Sequence, residues 1–90
     1  MVFEAANTSY TSAVFDTNAG KVVISYQDNG NTGDATLAVG TVSGTAISFV
    51  TPVVASTGNA FYIGSTYDST NNVVVIAYAD SAASDDGYAV

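Results

Sequence analysis

The sequence predicts an all-β fold built from two consecutive repeats, on the basis of three observations. Residues that favour strands are plentiful, whereas Lys, Glu, Leu and Gln, which favour helices, are scarce. The apolar residues form short runs that are separated by turn-forming Asp, Asn and Gly. The first part of the chain also recurs 52 residues later, so that Asn7 matches Asn59 and Tyr10 matches Tyr62.

The repeat covers most of the chain. Residues 2–39 match residues 54–90 with an offset of 52, which we expect to fall to 51 near the end through the loss of one residue near Ala83. A period of about 50 residues made of short strands is typical of a blade or coil array rather than one closed domain. We therefore divide the chain into residues 2–53 and residues 54–90.

The first repeat predicts four strands, at residues 9–15, 21–27, 35–42 and 45–50, and leaves open an extension of the last one to residue 54. Asp16 and Gly20 bound the first turn, because Asp bonds its own backbone and Gly tolerates a positive φ. Ser43 and Gly44 form a tight hairpin before the fourth strand. Pro52 follows that strand, as expected of an outer edge strand.

The second repeat predicts three strands, at residues 61–67, 73–79 and 87–90, so that its blade is incomplete and lacks the fourth strand. Asp68 occupies the place of Asp16 after an aromatic residue. These two carboxylates either form a ring at one face of the assembly or start the turns, and the sequence favours turns.

The order and the burial pattern of the strands indicate β-propeller blades. Four antiparallel strands per period, in meander order, are the unit of that fold. Residues 73–78 have no polar alternate position and residues 22–26 have only one, which predicts burial on both faces, as in an inner blade strand. Residues 45–49 alternate between polar and apolar, as an outer strand would.

The segments SAVFDTNAGKVVISYQD, AVGTVSGTAISF and STYDSTNNVVVIAYAD resemble the units of highly repetitive bacterial and phage-associated β-propellers. Those units end a strand in an aromatic-Asp pair, turn through Asn or Gly, and resume with Val-Val-x-x-Tyr-x-Asp before a Gly-Thr-Val-Ser-Gly hairpin. The resemblance implies four-stranded blades. It does not specify a function, because propellers include enzymes, lectins and scaffolds.

Composition and charge limit the classes of partner. Lys21 is the only cation, and eight carboxylates bring the net charge to −7. Phosphate backbones and anionic membranes repel this charge, so we expect no nucleic acid partner. We also expect no membrane insertion, since no run approaches the roughly 18–20 apolar residues that a membrane helix needs. The chain has no cysteine, which excludes disulfides and thiolate metal sites.

The sequence leaves the location of the protein open. Residues 1–4 lack the basic and long apolar regions of a signal peptide. We therefore expect either that the chain is not exported by that route or that it is a piece of a longer protein. A hydroxyl-rich surface that is poor in Lys favours an extracellular or virion protein.

The densest oxygen-rich loop lies between residues 28 and 34. Asp28, Asn31 and Asp34 could bind Ca²⁺ together with backbone carbonyls, although their spacing differs from that of an EF-hand and no bidentate Glu closes the loop. The alternative is a solvated turn in which Asp and Asn cap their own backbone. We expect no cofactor, with Ca²⁺ as the alternative.

The matching loop of the second repeat, residues 80–87, contributes Asp85 and Asp86, and these two residues together with Tyr88 in the strand that follows are the candidate ligand-binding residues. A Tyr ring can stack on a sugar, and we place Tyr88 opposite Leu37 of the first repeat, so that it has no aromatic match. Four further tyrosines could stack in the same way or could pack within half-buried strands: Tyr10, Tyr26, Tyr62 and Tyr78.

No catalytic set is apparent in the sequence. His, Cys and Arg are absent, so the usual general bases, nucleophiles and oxyanion donors are missing. A glycosidase needs two opposed carboxylates, whereas the one adjacent pair, Asp85 and Asp86, would point in different directions. We therefore expect a protein that is not an enzyme.

Three functions remain as hypotheses. The first is a non-enzymatic propeller module with a structural or recognition role, which presents loops to a glycan or a protein at a virion or cell surface. The second is a calcium-stabilised, lectin-like propeller. The third is a purely architectural repeat, natural or engineered, selected for self-assembly. In each case we expect either self-association into a ring or a place within a longer propeller, because repeats bury their apolar faces against neighbours.

Overall fold

The protein is all-β, as predicted. The structure is a computed structural model that describes residues 1–84 and 86–89. In these residues it contains eight strands and one short 3₁₀ turn. They are β1 (Thr8–Asp16), β2 (Lys21–Asp28), β3 (Asp34–Ser43), β4 (Ala46–Phe49), β5 (Val53–Ser56), β6 (Ala60–Asp68), β7 (Val73–Asp80), the turn Ser81–Ala83 and β8 (Asp86–Ala89).

The first sheet, sheet A, is an antiparallel meander in the order β1-β2-β3-β4. β5 also pairs with β3, and it occupies the part of the β3 edge that β4 leaves free: Gly40 pairs with Phe49, and Leu37 pairs with Val53. The predicted fourth strand is therefore two short strands in line, with Pro52 in the gap between them. β5 runs across the expected division between residues 53 and 54.

The second sheet, sheet B, has the order β6-β7-β8 and repeats the register of sheet A. Asp28 pairs with Asp34 in sheet A, and Asp80 pairs with Asp86 in sheet B, so the offset stays at 52. The expected fall to 51 is wrong, because the two loops contain the same number of residues. Tyr88 is therefore the equivalent of Thr36 and not of Leu37.

The two sheets are joined along β1 and β6 and share one core. The hydroxyl groups of Ser12 and Ser65 lie 2.8 Å apart across this junction. Residues of both sheets form the buried cluster Ala35, Ala60, Ile63, Ile76 and Tyr78, and Leu37, Ala55 and Val74 pack against it.

The sheets present different faces to each other. In sheet A the face toward sheet B carries Ser25 and Gln27, and the side-chain amide of Gln27 donates to Asn59 over 2.7 Å. In sheet B the face toward sheet A carries Ile76 and Tyr78. Ile76 is the equivalent of Ile24, which lies on the opposite face of its sheet from Ser25. The two repeats therefore contact each other through opposite faces of the repeat. This is a head-to-tail arrangement.

Burial on both faces is confirmed for β2 but not for β7. Ser25 and Tyr26 point to opposite faces of sheet A and are both fully buried. In β7, Ile76 is buried whereas Ala77 is exposed. The difference arises because Phe3 covers Tyr26, with their ring centroids 5.1 Å apart, while the outward face of β7 has no such cover among the described residues. Within the same part of the chain, no helix is long and apolar enough to cross a membrane.

Candidate functional site

Two tyrosines that occupy the same place in each repeat have an unusual backbone conformation. Tyr10 has a φ of 52° and Tyr62 a φ of 54°. Each lies at a bulge, where the pairing of β1 with β2 shifts between Ser9 and Ser12, and that of β6 with β7 shifts between Phe61 and Gly64. The bulge therefore occurs at the same position in both repeats.

A positive φ is costly for a bulky aromatic residue. Such residues rarely adopt the left-handed region, and holding one there costs on the order of 1–3 kcal/mol. Bulges of this kind redirect a side chain out of the regular alternation of a strand. Tyr10 is 37% exposed and Tyr62 is 77% exposed, so the strained backbone presents both rings toward solvent.

The two rings form an aromatic cleft with their neighbours. The ring centroids of Tyr10 and Tyr62 are 5.0 Å apart, and that of Phe61 lies 5.6 Å from Tyr10 in an edge-on orientation. Together with Ala79 these residues line a cavity of about 370 Å³. The aromatic cleft thus lies at the junction of the two sheets and uses residues from both. Its size is in the range of small-ligand sites.

The cleft offers the chemistry that binds a neutral, partly apolar ring. Its lining consists of two phenol rings, one phenyl ring and a methyl group, and the phenol hydroxyls can donate or accept hydrogen bonds. None of the described residues that line it is charged. The net charge of −7 disfavours anionic ligands over the whole surface.

The loop proposed for Ca²⁺ also joins the two sheets. Asp34 is only 4% exposed, and its carboxylate accepts hydrogen bonds from the Asn31 amide (3.0 Å), the Thr32 hydroxyl (3.1 Å) and the Gly58 backbone N–H (3.0 Å). Asp28 lies across the loop and accepts from the backbone N–H of Gly30 at 2.9 Å. Protein donors therefore satisfy Asp34, and the expectation of a solvated turn does not apply to it.

The same loop is held together by repeated backbone contacts. The N–H of Asn29 donates to the carbonyl of Asn7, and 52 residues later the N–H of Ser81 donates to the carbonyl of Asn59, both over 3.0 Å. Asp80 accepts from the N–H of Ala82 as Asp28 does from Gly30. Among residues 1–84 and 86–89, no group of three or more His, Cys, Asp or Glu side chains is placed to hold a metal ion.

The other predicted site residues are not brought to the aromatic cleft. Tyr88 stacks on Tyr78 with a centroid distance of 6.0 Å and remains 44% exposed. Asp86 is exposed on β8, and Asp85 lies outside the described residues. Asp16 and Asp68 each accept two backbone N–H groups of their own turn, which agrees with the turn-starting role that the sequence favours.

In the part of the chain that the structure describes, three groups have a perturbed pKa. Burial, and then the nearby carboxylate of Glu4, raises the pKa of Tyr26 above its ordinary value; the Tyr26 hydroxyl donates to Glu4 over 3.2 Å. The backbone N–H of Ala6 lowers the pKa of Glu4, and the side-chain amide and backbone N–H of Asn71 lower that of Asp68. All three groups lie outside the aromatic cleft, so they support structure and not proton transfer at that site.

The sequence partly indicated the aromatic cleft. The repeat match of Tyr10 and Tyr62 was visible, but nothing in the sequence signals a positive φ at tyrosine, since Gly and Asn are the residues that favour it. Phe61 and Ala79 join the site through the packing of the sheets.

The chain matches no protein-family model, and neither a curated protein nor a solved structure shows significant similarity to it.

Proposed function

We propose that the chain is a non-enzymatic β-propeller repeat module that serves a recognition role, and that its aromatic cleft receives a neutral sugar ring. The observation that carries the proposal is the pair of strained tyrosines, Tyr10 and Tyr62, which repeat in sequence and in backbone conformation. Strain of this kind persists only where the surrounding structure imposes it, and it concentrates at binding sites.

The blade architecture is supported by the way in which the two repeats pack. Each is an antiparallel meander, β1 and β6 lie at the shared junction, and β4 and β5 lie on the outer edge of sheet A. Head-to-tail packing of equivalent sheets is how blades are arranged around a propeller axis. We propose that further blades come from other copies in a ring or from a longer chain, and the glycan or protein ligand would then meet an array of clefts.

A sugar fits the cleft better than other small ligands do. Tyr10 and Tyr62 are exposed, so their rings can stack on the C–H groups of a pyranose and their hydroxyls can bond to its hydroxyls. A single sugar ring on two tyrosines makes few contacts, so one site would bind weakly. An array of sites would compensate by avidity.

The test is a screen of neutral glycans with the intact chain and with Tyr62→Asn. Asn removes the ring and tolerates a positive φ, so this variant should keep the fold while losing glycan binding. Phe15→Asn is the matched control, because Phe15 is an exposed aromatic residue outside the cleft. Binding that survives in Tyr62→Asn, or is lost equally in Phe15→Asn, contradicts the proposed site.

The two other hypotheses give different results in the same experiments. A calcium-stabilised lectin would lose thermal stability and glycan binding when a chelator is added. A purely architectural repeat would assemble but retain no glycan. The hydrogen bonds that satisfy Asp34 support a fold that stands without the ion, so we expect a chelator to leave the melting temperature unchanged.

A further inference from the structure

The outward face of sheet B corresponds to a face that is buried in sheet A. Ala77 is exposed, whereas its equivalent Ser25 is fully buried between the sheets. Tyr62 covers part of its equivalent, Tyr10, whereas Tyr62 itself is 77% exposed. The outward face of sheet B is thus the equivalent of the face through which sheet A packs on sheet B.

Residues 1–4 lie on the opposite side of the protein, where a preceding blade would pack. Phe3 packs on Tyr26 and lies 5.9 Å from Phe49, and Glu4 accepts the Tyr26 hydroxyl. With the offset of 52, residues 1–4 correspond to β5, whose Ala55 packs in the cluster that contains Tyr78, the equivalent of Tyr26. Residues 1–4 therefore lie on Tyr26 as β5 lies on Tyr78, but among the described residues no strand pairs with them as β3 pairs with β5.

The edge of β8 is the counterpart of the β3 edge that holds β5. In sheet A, Thr36 pairs with Val54 and Leu37 pairs with Val53. Adding 52 to the β3 residues and subtracting 52 from the β5 residues gives Tyr88 opposite Val2 and Ala89 opposite Met1. Among the described residues, β8 pairs with β7 alone, so this edge is free to accept a strand.

We infer that the occupant of this surface is a second copy of the chain, whose residues 1–4 pair antiparallel with β8 in the register of Val2 opposite Tyr88. The face that carries Ala77 then packs on sheet A of that copy, and Tyr62 takes the partly covered place that Tyr10, still 37% exposed, has beside Tyr62 within one chain. The contact is heterologous, because two different surfaces meet, and repetition by rotation gives a closed ring. The inference rests on the propeller module proposed above, and it adds the interface and its register.

The register can be tested by disulfide trapping, because the chain has no cysteine. A Tyr88→Cys chain is mixed with a Val2→Cys chain under mild oxidation, since directly opposed residues place their Cβ atoms within reach of a disulfide. The control replaces Val2→Cys by Val50→Cys, a residue of similar exposure (64% against 72%) in the link between β4 and β5. We expect several-fold more mixed dimer with Val2→Cys. Equal yields, or none, overturn the register.

The interface can be tested by the native mass of the chain and of two charged variants. Ala77→Asp buries an unpaired carboxylate in the contact and should weaken assembly at least about tenfold in concentration. Ala46→Asp alters another exposed alanine, at the hairpin of β4, and should assemble normally. A folded chain that stays at 9.1 kDa, or an Ala77→Asp variant that assembles like the wild type, overturns the inference. Glycan binding by such a monomer would leave the proposed function standing.

Discussion

Replacing Asp34 should cost far more than replacing an ordinary turn residue. Its carboxylate accepts three hydrogen bonds, but Asn31 and Thr32 are exposed and can turn to water, so the loss falls mainly on the partly buried N–H of Gly58. A hydrogen bond to a charged group is worth about 1.5–3 kcal/mol. Asp34→Ala should therefore lower the free energy of unfolding by about 2–3 kcal/mol. Asp34→Asn, which keeps one acceptor oxygen, should lower it by about 1 kcal/mol.

The matched control is Asp86→Ala. Asp86 holds the same register position in sheet B but is exposed, so its replacement should change stability by less than about 0.5 kcal/mol. For a domain of this size, the loss in Asp34→Ala corresponds to a fall of roughly 10–20 °C in Tm by circular dichroism at fixed protein concentration. If Asp34→Ala and Asp86→Ala have the same Tm, the hydrogen bonds of Asp34 do not stabilise the fold as described. If a chelator reproduces the loss in the wild type, a bound cation and not hydrogen bonding explains it.

Three further predictions concern the core, a close approach and pH. Ile76→Ala, at a residue 1% exposed, should cost about 2–5 kcal/mol in urea unfolding, and more than Ile24→Ala, whose side chain is half-buried; equal costs would contradict the packing described. Gly33→Ala should lower Tm, because Gly33 has a φ of 81° and an added Cβ would collide with the side chain of Asn59; an unchanged Tm would exclude that approach. The raised pKa of Tyr26 means that the folded chain holds the phenol proton more tightly than the unfolded chain does. The stabilisation from this proton is complete below about pH 10 and is lost as pH rises toward the folded pKa, so Tyr26→Phe should flatten the fall in unfolding free energy above about pH 10.

Local pattern was sufficient to predict the strands. The runs around Val23 and Val75 and the turn chemistry at Asp16 and Asp68 are contained within a few residues, so the predicted strands appear within one or two residues of their expected bounds, except that the predicted end of the last strand, Val90, lies outside the described residues. The two-part fourth strand was less predictable. Pro52 signals an interruption, but only the register with β3 shows that the chain resumes along the same edge.

The site depended on contacts that a sequence does not encode locally. Asp34 was interpreted as a cation ligand or a solvated turn because its neighbours are polar, and its burial follows from Gly58, which is 24 residues away. The repeat offset near the end of the chain was misjudged because matching identical residues favoured an offset of 51, whereas the pairing of β8 with β7 fixes it at 52. A one-residue error of this kind moves every side chain of a strand to the other face.

The break at Pro52 has a consequence for solubility. β4 and β5 form the outer rim of sheet A, and each is only four residues long. Because these edge strands are short and are separated by a proline, which has no N–H to donate, they offer another extended chain too few consecutive backbone N–H and C=O groups for stable pairing. The rim of the protein is thereby protected from edge-to-edge aggregation, while the edge of β8 stays open. Association by strand addition is then directed to one end of the molecule, which favours ordered assembly over amorphous precipitation.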